Sequence, residues 1–456
     1  MNSHASSTLT ESNPIATPKE AGYDSRFSIF QPPALDISTQ SELTVDYRPI
    51  GALTRGQSID FLIPNTNVYY TDLSRTYLCL RARILRQDGT PTTFARRTDD
   101  PGTPKVDKVA FAQLPLSTCF RQVDIMLNQT LMSSQIGVNA PYKAVLDHLV
   151  YKDKEYLNSS AQAALFYYDT PGHMNSVDIT QAGTNKGLVR RYEWSKEGAE
   201  IFVQGTLPHD LSELQQYIPS NVEIKIKLLP AVDEFVLMSA PPTESHESYQ
   251  VEITDATLSV KFIEPSNPLI LAHASSLDKT PAIFNYMRSN IKSFTIPADL
   301  MTWSIDQLFA NQIPAELLVC MVKSTAYTGR YDENPFNFEH HNLSYLEFSI
   351  ESTQRKTFQP DFDKNAYTEE YLALYSDEGG RRRGGIIELS DFKRGYAIYR
   401  IKITPGVDRT YTLSQNKAQT RLSFRFKEAL KTPVTCIAYG KFYDSFRVDK
   451  TRNVYI

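Results

Sequence analysis

The chain has 456 residues, which exceeds the size at which a single hydrophobic core usually stops growing, so two domains are expected. Hydrophobic residues make up 41% and charged residues 22%, a balance that excludes a disordered chain. The net charge of −4 and the pI of about 6.1 argue against a dedicated nucleic-acid-binding protein, but they exclude no local basic patch.

Aromatic residues favour β structure, because 26 tyrosines and 23 phenylalanines stand against only 2 tryptophans. The cysteines lie far apart without C-x-x-C spacing, so we expect small buried thiols in a reducing compartment, not a zinc or redox site. They are Cys79, Cys119, Cys320 and Cys436. The N-terminal residues lack the apolar core of a signal peptide, and no stretch approaches the ~20 apolar residues of a spanning helix.

The first half of the chain begins with residues 1–35, which are rich in Ser, Thr, Pro and Glu and are expected to form a flexible arm. Alternation of apolar and polar residues then predicts a series of strands with one face on a core. The runs begin at Leu43, Ile59, Leu78, Val123 and Val222.

The second half follows residues 239–245, a Ser- and Pro-rich stretch that is the best linker candidate. We therefore expect an N-terminal domain over 36–240 and a C-terminal domain over 246–456. Tyr249, Val251 and Ile253 alternate, and the phase then flips at Asp255-Ala256, which predicts a β-bulge. Later strands are expected to start at Leu346, Tyr399, Leu422 and Val434.

The two halves have similar layouts. Their opening strands, at Leu43 and Tyr249, and their late strands, at Val222 and Leu422, are each about 200 residues apart. This spacing predicts two copies of one β architecture, either sandwiches or jelly rolls. Helical periodicity is confined to three short segments that we expect on the sandwich edges. They are Tyr142–Val150, a capping-box pattern from Asp210 to Ile218, and Tyr367–Tyr375.

Motifs that carry catalysis are missing: the sequence has no G-x-S-x-G elbow, H-E-x-x-H, Walker loop or Rossmann glycine fingerprint. Glu339-His340-His341 is the nearest candidate for a metal site, but adjacent strand residues point to opposite faces, so a surface or interface loop is the preferred interpretation. The pair Glu369-Glu370 is interpreted as helix N-terminal charge.

The most basic segment is a loop in which Arg381, Arg382 and Arg383 are flanked by paired glycines. Such a loop could hold phosphates weakly and without sequence preference. A solvated loop is the preferred interpretation, because no interleaved aromatic residues provide base stacking.

Seven short motifs follow one another along the chain. They are Ile59-Asp60-Phe61, Tyr70-Thr71-Asp72-Leu73, Val123–Asn128, Pro141–Ala144, Gly205–Leu211, Asn334–Phe338 and Gln359–Phe362. Taken in this order, they resemble the major capsid proteins of Polinton/Maverick-type viruses and adintoviruses. The similarity runs from about residue 40 to 405, and one departure is Pro208 before His209.

The resemblance implies an all-β chain with a few short helices, folded as a double jelly roll of two eight-stranded β-sandwiches in tandem. It further implies a capsid protein that forms pseudo-hexameric homotrimers, which tile an icosahedral shell around double-stranded DNA. The expected partners are further copies of the chain, a penton protein, minor capsid proteins and weakly held DNA. The expected location is the virion, with assembly inside the host cell, and neither cofactor nor enzymatic activity is expected.

Two alternatives stay open at the level of sequence. A carbohydrate- or ligand-binding β-sandwich module is the first, because jelly rolls also serve as lectins, although few tryptophans are present for sugar stacking. A cupin-type enzyme is the second, and it would need a cluster of His and carboxylate ligands on strands, which the sequence does not offer.

Overall fold

The computed structural model describes residues 38–92, 107–132, 140–179, 183–240, 248–376, 384–403 and 418–456. The strands are β1 Thr39–Tyr47, β2 Ile59–Ile63, β3 Tyr70–Arg86, β4 Val109–Phe111, β5 Phe120–Leu127, β6 Thr130–Leu131, β7 Ile201–Thr206, β8 Ile224–Pro230, β9 Leu237–Ser239, β10 Tyr249–Pro265, β11 Ala282–Ile296, β12 Thr302–Ile305, β13 Glu316–Lys323, β14 Leu343–Ile350, β15 Thr353–Phe358, β16 Ile398–Lys402, β17 Thr420–Phe426, β18 Val434–Val448 and β19 Val454–Tyr455. The helices are α1 Pro115–Thr118, α2 Ala140–Tyr151, α3 Lys154–Leu157, α4 Lys186–Ser195, α5 Asp233–Val236, α6 Asn267–Leu277, α7 Ser324–Thr328, α8 Thr368–Leu374 and α9 Leu389–Phe392.

Two antiparallel β-sandwiches account for most strands. In the first, sheet 1 has the order β1-β10-β3-β7 and sheet 2 the order β2-β8-β5-β6. In the second, sheet 3 has the order β11-β18-β13-β16, with β19 added to β18, and sheet 4 the order β12-β17-β14-β15. Without the small β4-β9 pair and β19, each sandwich has eight strands in chain order. The first, last, third and sixth form one sheet, and the second, seventh, fourth and fifth form the other.

This shared order confirms the predicted double jelly roll, because the same eight-strand winding occurs twice. It also confirms that the strands after Val222 and at Leu422 correspond, since β8 and β17 are both the seventh strand of their sandwich. The correspondence predicted for Leu43 and Tyr249 is wrong. The strand that begins at Tyr249 is the eighth strand of the first sandwich, and the counterpart of β1 is β11.

The predicted division of the chain at 240–246 therefore does not coincide with the division of the sheets. β10 pairs with β1 over Thr39–Tyr47 and with β3 on its other side. The sheets divide instead between Pro265 and Ala282, where helix α6 connects the two sandwiches. Residues 239–245 have a linker-like composition, but β10, the strand that follows them, belongs to the first sandwich.

The predicted bulge in β10 is confirmed. The register of β10 on β3 shifts between Ile253 and Asp255, so Thr254 is the extra residue. The shift places Ala256 and Leu258 on the buried face, where both are fully enclosed. The strand of 17 residues thereby keeps its apolar residues on one face. Without the extra residue, the apolar residues after Thr254 would point to the opposite face.

Sheet 3 is covered on both faces. Leu317, Val319 and Met321 of β13 pack in the core between sheets 3 and 4. The alternating residues Leu318, Cys320 and Val322 belong to a buried cluster that continues into the first sandwich and helix α2. Burial of both faces explains why β13 is apolar throughout, and why a search for alternation did not find it.

The predicted helices were found in two cases out of three. Tyr142–Val150 lies within α2, and Tyr367–Tyr375 overlaps α8, whose first turn carries Glu369 and Glu370 as expected. Over Asp210–Glu213 the structure has one 3-10 turn. The turn is capped by the residue before Asp210, so the predicted capping box is wrong.

Shortening a side chain between the sandwiches should destabilise the whole chain. We expect Leu318→Ala to lower the free energy of unfolding by about 2–5 kcal/mol, because it leaves a cavity in a fully enclosed site. Urea unfolding followed by fluorescence would measure this. Leu62→Ala is the matched control, since Leu62 is 37% exposed, and an equal loss in both variants would contradict burial of this face of sheet 3.

Candidate functional site

Helix α2 carries a buried ion network across the junction of the two sandwiches. Lys143 and Asp147 lie one turn apart on α2, and their Nζ and Oδ2 atoms are 2.9 Å apart. Lys143 Nζ also lies 3.1 Å from Asp210 Oδ1. From the second sandwich, Lys441 Nζ lies 3.1 Å from Asp147 Oδ1, and the Tyr439 hydroxyl donates to the same oxygen at 2.9 Å. Charges of both signs therefore alternate across the junction.

The pKa values of Lys143 and Asp147 favour the charged forms of both side chains. Burial alone would favour neutral side chains, but the carboxylates of Asp147 and Asp210 outweigh it and hold the pKa of Lys143 above its ordinary value. Burial likewise opposes the charge of Asp147, but Lys143 and Lys441 keep the pKa of Asp147 below its ordinary value. Asp210 also accepts a hydrogen bond from the backbone N–H of Ser289 at 2.8 Å, which links it to β11.

A second set of contacts extends this network to the edge of sheet 3. The Tyr151 hydroxyl, at the end of α2, donates to Glu316 Oε1 at 2.8 Å. Arg400 Nε donates to the same oxygen, and Arg400 Nη1 donates to the carbonyl of Leu374 at 2.8 Å. Lys441 Nζ lies 3.5 Å from the centre of the Tyr151 ring, a cation–π contact. One face of α2 is thus bound to β13, β16 and β18.

A fully buried ion pair forms a second junction. Arg191 of α4 and Asp169 are both inaccessible to solvent, and their Nη2 and Oδ1 atoms are 2.7 Å apart. From the second sandwich, Asn334 Nδ2 donates to Asp169 Oδ2 at 3.0 Å, and the Tyr396 hydroxyl donates to the Asp169 carbonyl at 2.8 Å. Gly187 opens this space, because a Cβ there would lie 2.5 Å from Asp169 Oδ1. The Asn334–Phe338 motif therefore has a structural role.

The end of the chain forms a third junction, with the turn that joins β5 to β6. Asn128 adopts a positive φ of 44° in this turn, and its amide Nδ2 donates to the Arg452 carbonyl at 2.7 Å. Thr130 Oγ1 donates to the Val454 carbonyl at 3.1 Å. Asn128 Oδ1 meanwhile accepts from the Glu223 N–H at 2.7 Å. The motif that ends at Asn128 thus fastens the second sandwich to sheet 2.

His209, within the motif Gly205–Leu211, caps the 3-10 turn. Its Nδ1 accepts a hydrogen bond from the Leu211 N–H at 3.2 Å, so the neutral ring carries its proton on Nε2. That Nε2 is buried and has no hydrogen-bond partner among the described residues. Burial lowers the pKa of His209 to about 4, and the ring is therefore held neutral near pH 7.

The segment Glu339-His340-His341 lines a cleft of about 830 Å³ between loops of the two sandwiches. The His340 ring stacks on Phe362 at 3.9 Å, and its Nδ1 accepts from the Asn342 N–H at 3.0 Å. His341 Nδ1 and Glu339 Oε2 are 3.9 Å apart, and burial lowers the pKa of both histidines to about 4. Among the residues that the structure describes, no group of three or more His, Cys, Asp or Glu could hold a metal. The interpretation as a surface or interface loop stays a prediction.

The remaining candidates from the sequence are the arginine loop, the N-terminal arm and the cysteines. Arg381, Arg382 and Arg383 and the arm over 1–35 lie outside the described residues. The cysteines are free thiols, and three of the four are buried. Burial raises the pKa of Cys119 to about 12, which makes it a poor nucleophile. In the described part of the chain, no helix is long and apolar enough to cross a membrane.

Known proteins resemble this chain in sequence and in fold. No family model matches the chain. The uncharacterized protein F54H12.2 of Caenorhabditis elegans is 22% identical over 406 residues, which cover 86% of this chain and 92% of that protein. A chain of the Sputnik virophage aligns with a TM-score of 0.59 at 10% identity, over 100% of this chain and 94% of its own. The mavirus major capsid protein aligns with a TM-score of 0.52 at 12% identity, over 100% and 96%.

This chain therefore has a double jelly-roll fold, as the mavirus major capsid protein does. The likeness extends over nearly the whole of each chain, so it includes both sandwiches and their tandem order. Sequence reasoning identified the motifs but not their roles. It missed the Lys143–Asp147 pair, although a Lys and an Asp four residues apart on a predicted helix with apolar neighbours could have indicated it.

Removing one charge from the buried network should lower the stability of the fold. We expect Asp147→Asn to lower the free energy of unfolding by about 3–5 kcal/mol, because Lys143 and Lys441 would lose the carboxylate between them. Chemical denaturation would measure the loss. Glu369→Gln, which removes an exposed ion pair with Lys356, is the control and should change stability little. An equal change in the free energy of unfolding of the two variants would contradict a stabilising role of the buried network.

Acid should weaken the fold in the range where buried histidines must charge. The unfolded chain binds a proton at His209 near pH 6.5, whereas the folded chain does so only near pH 4, so stability is present above pH 6.5 and is lost as pH falls. The loss from this ring amounts to about 3 kcal/mol. Unfolding at a series of pH values should show a shallower decline for His209→Asn, whose amide can still cap Leu211. His173→Gln, at an exposed position, is the control, and identical slopes for His209→Asn and wild type would refute the assignment.

Proposed function

We propose that this chain is a viral major capsid protein. The observation that carries the proposal is the repeated eight-strand order together with full-length likeness to the mavirus major capsid protein, at a TM-score of 0.52. The three junctions support it, because they join the two sandwiches into one rigid building block. A shell tile needs such rigidity, since its neighbours meet it at fixed angles.

The assembly that we propose is a homotrimer. Three copies with two similar sandwiches each present six units around one axis, which gives a pseudo-hexagonal outline. Such trimers would tile an icosahedral shell around double-stranded DNA, together with a penton protein and minor capsid proteins. The motifs favour a virus of the Polinton/Maverick or adintovirus kind, with the virion as the location of the protein after assembly in the host cell.

A structural role needs no cofactor, and we assign the chain no catalytic activity. The capping of Leu211 by His209 and the stacking of His340 on Phe362 assign two of the histidines to packing. For Arg381, Arg382 and Arg383 we propose weak, non-specific contact with packaged DNA. For the domains we propose a first sandwich that ends at Pro265 and a second that starts at Ala282.

Expression of the chain alone tests the proposal. We expect light scattering of the purified protein to give about three times the chain mass of 51.7 kDa, and negative-stain images to show a hexagonal outline. A stable monomer at all concentrations, which never forms tiles or shells, would overturn the capsid assignment. Retention of that monomer on a glycan array would then favour the carbohydrate-binding alternative.

A further inference from the structure

Helix α6 exposes an apolar surface at the connection between the two sandwiches. It spans Asn267–Leu277 between β10 and β11, and none of its residues is buried. Leu271 is 71% exposed, more than any other large hydrophobic side chain in the described part of the chain. An isolated helix of eleven residues is marginal in water, and protein helices take most of their stability from packing of an apolar face. The helix is therefore expected to have a partner.

The position of α6 is fixed by the first sandwich. The Ser266 N–H, immediately before the helix, donates to the Ser38 carbonyl at 2.8 Å. Tyr70 of β3 contacts the middle of the helix, where its hydroxyl lies 2.9 Å from His273 Nδ1 and the two rings stack with centres 5.8 Å apart. These contacts hold one side of α6 and leave Leu271 exposed.

The charge distribution around α6 suits contact with an identical surface. No Asp, Glu, Lys or Arg occurs from Pro265 to Leu277, in a chain with 22% charged residues. Beyond the end of the helix, Asp278 and Lys279 are exposed and have opposite signs. A second copy presents the same pair, so Asp278 of one copy and Lys279 of the other can attract. Depletion of charge at the centre with a polar rim is typical of protein interfaces.

We propose that α6 is a subunit contact that packs against a second copy of this chain. The proposal rests on the self-assembly proposed above and names one surface that serves it. At 1.5 Å per residue the helix is about 16 Å long, so it covers only part of the ~800 Å² that each partner buries in a stable interface. It is therefore one element of a larger contact, with Leu271 at its centre.

Hydrogen–deuterium exchange on the full-length protein tests the identity of the partner. Peptides that span 267–277 should exchange rapidly in the monomer fraction and become protected in the oligomer fraction. Protection already present in the monomer would overturn the proposal, because another part of the same chain would then cover the helix. Rapid exchange in both fractions would also overturn it.

A substitution tests whether the contact matters for assembly. We expect Leu271→Asp to shift the protein from oligomer to monomer by light scattering, with a melting temperature of the monomer close to that of wild type. Val232→Asp is the matched control, because Val232 is 53% exposed, and the control should still assemble. If Leu271→Asp assembles like wild type, the contact is refuted while the capsid assignment stands. If wild type never assembles, the capsid assignment itself fails.

Discussion

The buried charges of Lys143, Asp147 and Lys441 constrain the rest of the structure, because they can be enclosed only where both sandwiches are in place. Asp147 comes from a helix of the first sandwich and Lys441 from the last long strand of the second, and their atoms are 3.1 Å apart. A charge left unpaired in such a site costs several kcal/mol, so relative displacement of the sandwiches is strongly opposed. Nonpolar packing alone would tolerate more sliding, since it has little directional preference.

The fixed contact between the sandwiches also explains why β13 in sheet 3 is apolar on both faces. In an isolated jelly roll, the outer face of a sheet meets solvent and carries polar residues. In sheet 3 that face instead contacts the first sandwich through Leu318, Cys320 and Val322. Sheet 3 thus packs against sheet 4 on one face and against the first sandwich on the other. The two sandwiches therefore form one block whose middle layer is sheet 3.

Much of the fold was predictable from the sequence, because strands with one exposed face show alternation of apolar and polar residues. The phase change at Asp255-Ala256 even located a bulge to within one residue. The failures occurred where tertiary context overrides local pattern. β13 lacks alternation because both its faces are buried. Residues 239–245 have the composition of a linker, although β10, which follows them, belongs to the first sandwich. The roles of Asp147 and Asp169 depend on partners far along the chain, which no local pattern specifies.

The enclosed junctions and the exposed helix α6 differ in their chemistry. Polar and charged side chains such as Arg191 and Asp169 are fully buried inside the chain, where their geometry fixes how the two sandwiches meet. Helix α6 has the opposite character, with the exposed side chain of Leu271 and no charged residue. A contact made before assembly can use costly buried charges, because folding encloses them once and cooperatively. A contact made between separate subunits must form and correct itself, and an uncharged apolar surface allows this because it imposes no strict geometry.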